Sequence, residues 1–440
     1  MAKHTVGIDA ISFDIPRIYL PIRILAEKRE IDPEKLTKGL GLERMSILDL
    51  HQDVVTMASN AVLRLLRQQK MNPEDVGRLY VGTESGVDGS KPIASYVLSN
   101  LKSIFGDAFR NCDGVDLTFA CIGGVDALEN CLDYVKLRPD KKAIVVTTDF
   151  AKYDLGSTGE YTQGAGAIAL LVSANPRLIS IDGEFGVATE GVFDFFKPRR
   201  YFPKQELGID IPEEVVSVYR EQPVFDGQYS NACYIKQIKE AYSHFKVLNG
   251  KNGIGFDDWS QILMHLPYCY QARRTFVEIY ADELTHGNEA ELRDMRAIAK
   301  SAGYLEFVQN RIQPSEMGSA KVGNIYTGSI FLGLLSTLSY LRDTNENIEG
   351  RTFGFLAYGS GSKAKVFEGR ISKEWRAAMD GVDLFGYLDE LEAIDFGTYE
   401  DLYCGRVQNS VIEPKEEFVL LGIERENPNQ LGARMYQYYP

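Results

Sequence analysis

Thr118-Phe119-Ala120-Cys121-Ile122-Gly123-Gly124-Val125-Asp126-Ala127-Leu128 leads an apolar run into a cysteine, and a helical pattern begins there. Apolar residues continue at Ile122, Val125, Leu128, Leu132 and Val135, while Asp126, Glu129, Asn130 and Asp133 fall elsewhere. That is the period of an amphipathic helix. The spacing places Cys121 at the helix N-terminus, where free N–H groups and the positive end of the dipole favour a thiolate. The same N–H groups suit an oxyanion, and Gly123 and Gly124 let a ligand approach the backbone closely. Read alone, the segment also fits a core cysteine packed ahead of a helix. The decision rests on the rest of the chain.

The chain has 440 residues, more than one ordinary core accommodates, which points to two or so domains. Hydrophobic residues make up 44% and charged residues 25%, the balance of a globular protein. A net charge of −14 argues against nucleic-acid binding and against adhesion to anionic membranes, while leaving room for a local basic pocket. The six cysteines (Cys112, Cys121, Cys131, Cys233, Cys269 and Cys404) show no CxxC spacing and no histidine cluster. They read as reduced thiols of a cytoplasmic protein, not as disulfides or zinc ligands. The N-terminus runs straight into a strand-like segment, and neither a targeting segment nor a membrane span is expected.

The first 180 or so residues alternate strand and helix. A helical pattern over 52–69 precedes a β-rich run at 78–83 that ends at Glu84. The Cys121 helix follows, then a buried-strand run at 143–148 ending at Asp149, and a strand of small and apolar residues at 164–172. The second half repeats this order more loosely. A strand at 261–264 ends at His265, a helix begins near Asn324, and a strand at 352–358 runs into the turn Gly359-Ser360-Gly361-Ser362. Two α/β halves facing each other bring strand ends and helix N-termini to one site. We therefore divide the chain into halves 1–176 and 177–440, with an insertion over the site at about 183–260. The charged, Tyr-rich segment 388–440 has no assigned role at this stage.

Nine stretches in order resemble the hydroxymethylglutaryl-CoA synthase family of thiolase-like condensing enzymes over nearly the whole chain. They are 82–88 (Gly-Thr-Glu-Ser-Gly-Val-Asp), 118–128, 148–153, 159–167, 192–198, 224–230, 265–268 (His-Leu-Pro-Tyr), 322–329 and 358–362. The resemblance implies a thiolase-like α/β fold in αβαβα layers, and a homodimer. It also implies condensation of acetyl-CoA with acetoacetyl-CoA to 3-hydroxy-3-methylglutaryl-CoA in the mevalonate route to isoprenoids. CoA thioesters are then substrates, and no further cofactor is expected.

By the same resemblance Cys121 carries the acetyl group, Glu84 is the general acid/base and His265 orients the acetoacetyl ketone. Asp149 and Asp194 match family aspartates that shape the site, Asn324 the asparagine near the acetoacetyl thioester, and Thr162 a pocket residue. The N–H groups of Cys121 and Ser360 would form the oxyanion hole, and Arg273 and Arg274 fall where basic residues meet CoA phosphates. The chain departs from the family at three places. Ile122 replaces the usual Tyr after the nucleophile, Thr118 stands where Asn is common, and Tyr270 stands where Lys is frequent. The last removes a cation beside the CoA phosphates. Two alternatives therefore stay open: a carrier-protein-dependent synthase of polyketide β-branching, and a ketoacyl synthase III-like enzyme. Glu84 argues against the second.

Overall fold

In the computed structural model, which describes residues 4–284 and 294–440, the strands of the two halves join in one sheet. Its order is Trp259–Met264, Thr352–Gly359, Lys363–Ile371, Ile179–Ser180, Val6–Asp14, Gly164–Ala174, Lys142–Ala151, Val76–Gly82 and Asp113–Leu117. Gly186–Thr189 pairs beside Lys363–Ile371. The short strand Ile179–Ser180 hydrogen-bonds to both Val6–Asp14 and Lys363–Ile371, and so bridges the halves.

Packing resolves this sheet into the expected five layers. The helices Gly123–Leu137 and Ser329–Asp343 lie in the middle. Leu128, Leu132, Leu334 and Leu335 pack there between Val145 and Ile168 of the first half and Phe355 and Phe367 of the second. Outside the first half, Val54–Gln68 and Ile93–Phe105 cover Leu79, Ile144, Val146 and Leu171. Outside the second, Gly227–Leu248 and Gln271–Leu284 cover Ile262, Met264, Leu356 and Val366. Strands covered on both faces read as continuous apolar runs, which is why 143–148 and 164–172 are so plain in the sequence. Helix starts follow local chemistry: Asp53 accepts from Val55 and Thr56 N–H while the Thr56 hydroxyl accepts from Asp53 N–H, a capping box that sets the first helix turn.

Strands Val76–Gly82, Asp113–Leu117 and Lys142–Ala151 run parallel, as do Trp259–Met264 and Thr352–Gly359. Glu84, Cys121, Asp149, His265 and Ser360 lie at the carboxyl ends of these strands or in the turns just beyond. A crevice at that edge is where open α/β sheets bind ligands.

Two segments differ from the sequence reading. The insertion over the site is narrower than 183–260, because Gly186–Thr189 belongs to the sheet and Gly227–Leu248 is an outer-layer helix. What stands over the site is two small ribbons, Phe195–Phe196 with Val224–Phe225 and Arg200–Pro203 with Val215–Val218. The segment 388–440 gains a role. Tyr399 of helix Phe396–Tyr403 donates to the buried Glu160 and accepts from Gln163, and Tyr403 donates to the Tyr153 carbonyl. This helix buttresses the loop after Ala151. The hairpin Glu417–Ile423/Arg434–Tyr439 packs on Val54–Gln68 through Phe418. Among the described residues no helix is long and apolar enough to cross a membrane.

The central helix approaches the strand before Glu84 so closely that a Cβ on Gly82 would lie 2.4 Å from Gly124 Cα and N. Those atoms are backbone and cannot swing aside. Gly82→Ala is expected to destabilise the protein by about 1–3 kcal/mol, as overpacking does. Urea denaturation checks this, and an unchanged midpoint would contradict the close packing.

Candidate active site

Helix Gly123–Leu137 begins two residues after Cys121, with Ile122 as its cap. Ala120 ahead of the cysteine has φ +42°, a conformation L residues adopt at a cost. That tight turn lifts Cys121 onto the wall of a cavity of about 590 Å³. Gly359 fits against the same turn: a Cβ there would meet Phe119 O at 2.6 Å and Ile122 N at 2.9 Å. The close fit brings Ser360 to the cavity wall alongside Cys121.

The Cys121 thiol donates to Glu84 Oε1 at 2.9 Å. Glu84 is buried, and Cys121 is half-buried on the cavity wall. Burial, followed by the Glu84 charge, pushes the Cys121 thiol well above its ordinary value. This corrects the expectation of a thiolate stabilised by the helix end. The resting nucleophile is a thiol whose proton already faces a carboxylate, so activation proceeds by transfer to Glu84.

Asp149 holds that carboxylate's backbone in place. It is fully buried, and its Oδ1 accepts from Glu84 N at 2.9 Å, Ser85 Oγ at 2.8 Å and Thr83 Oγ1 at 3.1 Å. Its Oδ2 accepts from Thr327 N at 3.1 Å and from the Thr327 hydroxyl. Burial and the nearby Glu84 charge push Asp149 upward, while the Thr327 and Glu84 donors oppose the shift. Asp194 does the equivalent across the cavity, accepting from Tyr358 Oη at 2.8 Å, Gly361 N at 2.7 Å and Ser230 Oγ at 3.2 Å. Neither aspartate lines the cavity; both act through what they hold.

His265 follows strand Trp259–Met264 and is 3% exposed. Its carbonyl accepts from Tyr234 Oη at 2.8 Å, and its Nδ1 has no hydrogen-bond partner among the described residues. Burial lowers its pKa to about 3, so the ring is a neutral imidazole facing the cavity. Asn324 and Thr162 complete the wall. Asn324 Oδ1 caps the turn at Tyr326 by accepting from its N–H at 2.8 Å, and Asn324 N donates to Thr162 O at 2.9 Å.

The two arginines separate. Arg274 lines the cavity, donating to Gly39 O at 2.6 Å. Arg273 is not brought there. It neutralises the buried Glu316, with Nε–Oε1 at 3.0 Å, and stacks 3.9 Å from the centre of the Tyr270 ring. A carboxylate that is 2% exposed requires such a partner. Tyr270 in turn packs against Gly41, where a Cβ would lie 2.5 Å from its ring.

Three residues that pattern reasoning left unassigned sit at the centre. Tyr153 and Tyr326 form an aromatic lining with Phe195 and Phe225 against Cys121. Lys197 Nζ lies 3.5 Å from Glu84 Oε2. The sequence offered little signal for it, since Lys197 closes the aromatic run 193–196 and is followed by Pro198, Arg199 and Arg200. A larger cleft of about 740 Å³ beside Gly227–Leu248 has lysines that each face a carboxylate, and neither cysteine nor histidine lines it.

Because burial lowers the His265 pKa below its unfolded value of 6.5, acidification protonates the unfolded chain first, and this group's contribution to stability is lost as pH falls below about 6.5. NMR of the imidazole nitrogens, with His265→Ala for assignment, is expected to show no titration of His265 between pH 5 and 8. A midpoint near 6.5 would contradict its burial.

Residues 2–176 match the model of the hydroxymethylglutaryl-coenzyme A synthase N-terminal domain, and residues 185–393 match that of the C-terminal domain. A hydroxymethylglutaryl-CoA synthase of Enterococcus faecalis is 30% identical, with the alignment covering 96% of this chain and 98% of the relative. One from Haloferax volcanii is 29% identical over 99% of each. A solved structure described as MvaS in complex with 3-hydroxy-3-methylglutaryl coenzyme A superposes with a TM-score of 0.85, at 30% identity and 99% coverage of both chains. With Cys121 and His265 on the wall of one cavity and Glu84 bonded to Cys121 behind that wall, in a thiolase-like fold, the chain belongs to the hydroxymethylglutaryl-CoA synthase family.

Proposed function

We propose that this protein condenses acetyl-CoA with acetoacetyl-CoA and water, giving 3-hydroxy-3-methylglutaryl-CoA and CoA, the step that supplies mevalonate and isoprenoid synthesis. The observation that carries the reading is the 2.9 Å contact of Cys121 Sγ with Glu84 Oε1. Glu84 takes the thiol proton as sulfur attacks the acetyl carbonyl, and the CoA thiol leaves with that proton. Glu84, a carboxylate again, removes a methyl proton from acetyl-Cys121. The enolate adds to the ketone carbon of acetoacetyl-CoA, and the alkoxide recovers the proton from Glu84. Hydrolysis of the Cys121 thioester frees the thiol and leaves a carboxylate on the product.

His265 suits the ketone because a neutral ring donates a hydrogen bond without fixing a cation in the cavity. The main-chain N–H groups of Cys121 and Ser360 form the oxyanion hole for the thioester oxygen. The chemistry draws on proton transfer and a thioester, with no metal or cofactor. Arg274 is the cation on the cavity wall and takes the CoA phosphates there, the role for which Tyr270 offers no charge. Free CoA thioesters are accordingly preferred to carrier-protein ones. Two copies pair through the edge strand Asp113–Leu117, whose alternate residues are exposed and which leads directly to Cys121. The six cysteines are free thiols, which suits a reducing cytoplasm.

Incubation with acetyl-CoA alone is expected to add one acetyl group to the peptide containing Cys121, and none in Cys121→Ala. With acetoacetyl-CoA added, mass spectrometry is expected to find 3-hydroxy-3-methylglutaryl-CoA at a higher rate than from acetoacetyl-carrier protein, and Arg274→Ala to raise KM for the CoA substrate. Light scattering should give twice the 49.3 kDa chain mass. Acetylation of Cys121→Ala, a preference for the carrier protein, or a monomer would each overturn the corresponding part.

A further inference from the structure

Lys197 reaches the catalytic centre from the segment over the site, between the strands Phe195–Phe196 and Arg200–Pro203. Its side chain is 9% exposed. The ammonium group makes three contacts: the Glu84 carboxylate at 3.5 Å through Oε2, the Glu84 main-chain oxygen at 3.2 Å, and the face of Tyr326 at 4.4 Å from the ring centre. Burying a lysine is costly unless its charge is met. Here the charge is met by the catalytic base, on the oxygen that Cys121 does not use. Phe195 seals the place edge-on against Tyr153 and Tyr326.

We propose that Lys197 is the positioning residue of the catalytic base, anchoring Glu84 through Oε2 so that Oε1 faces Cys121 and carries the proton. The inference rests on the condensation assigned above. It has a consequence specific to the reaction order. In the free enzyme Glu84 has two tethers, the Cys121 S–H and Lys197. Acetylation replaces the S–H, and Lys197 is then the tether that remains on the carboxylate. Loss of Lys197 therefore affects condensation more than acetylation. The cation also offsets a crowded set of groups: Cys121, Asp149, Tyr153 and Tyr326 each feel the Glu84 charge, and Tyr219 faces both Glu84 and Lys197. Removing it disfavours the ionised base.

The test uses Lys197→Met and Lys197→Arg in the full-length protein, with three readouts: acetylation of Cys121, single-turnover condensation of the isolated acetyl-enzyme, and the pH profile of kcat. In Lys197→Met, condensation is expected to fall about 10²-fold, the scale of a misplaced reacting group, and acetylation by less. The acid limb of the profile moves to higher pH, and Lys197→Arg returns it toward the native position. Equal losses in both steps with an unmoved acid limb, or no loss, would overturn the proposal. If Lys197→Met fails to fold, Lys197→Gln keeps a donor for the Glu84 carbonyl and is judged by the same readouts. Alkylation of Cys121 by iodoacetamide needs no turnover: its pH midpoint is expected to rise in the neutral variants. An unmoved midpoint counts against Lys197 even if the native protein forms no acetyl-enzyme, a result that refutes the assigned reaction separately.

Discussion

Asp149 lies near the carboxyl end of the central strand Lys142–Ala151 with no exposed surface, and its two oxygens point to different halves of the molecule. Oδ1 collects donors from Thr83, Glu84 and Ser85 at the end of strand Val76–Gly82; Oδ2 collects the N–H and hydroxyl of Thr327 from the turn that opens helix Ser329–Asp343. An unpartnered carboxylate at that depth would be strongly unfavourable, whereas charge-assisted hydrogen bonds on both oxygens offset its desolvation. The same bonds fix the relative position of the two halves at the point where they meet. Glu84 is placed by its own N–H on Asp149, Thr327 in addition reaches the Gly82 carbonyl, and Asn324 sits just before Thr327 with its side chain capping that turn.

The electrostatics of the site follow from this arrangement. Two carboxylates and a thiol are gathered under an aromatic lining, and the thiol is held protonated by burial and by Glu84. A resting thiol ties activation to substrate: sulfur becomes a nucleophile only as its proton crosses to Glu84. The helix dipole, which favours a thiolate at an exposed helix end, is outweighed here by desolvation and a like charge. His265 obeys the same rule with opposite sign, since burial leaves its ring neutral.

The helix Val54–Gln68 and the strands Val76–Gly82, Lys142–Ala151 and Gly164–Ala174 were legible because sheets covered on both faces leave apolar runs, whereas the helix Ile93–Phe105 and the half-exposed edge strand Asp113–Leu117 were not picked out. The central helix was legible from its period, although its first turn starts at Gly123 and not at the cysteine. Less was visible where a charge finds its partner far along the chain. Arg273 and Arg274 are adjacent in sequence, yet one neutralises Glu316 and the other lines the cavity. Lys197 meets Glu84 across 113 positions, and Tyr399 meets Glu160 across 239. Periodicity carries no information on such pairings. The thiol's state was misread for the same reason: a helix end is local and readable, while burial is a property of the whole fold.

The central claim is that Cys121 and Glu84 work as one unit across their 2.9 Å contact. The most direct measurement is single-turnover condensation by isolated acetyl-Cys121 enzyme mixed with acetoacetyl-CoA, native against Glu84→Gln, with product followed by rapid quench. The account predicts that native acetyl-enzyme forms 3-hydroxy-3-methylglutaryl-CoA and that the amide variant is slower by about 10²–10⁴-fold, the range for loss of a general acid/base. Condensation by the Glu84→Gln acetyl-enzyme at the native rate would contradict it.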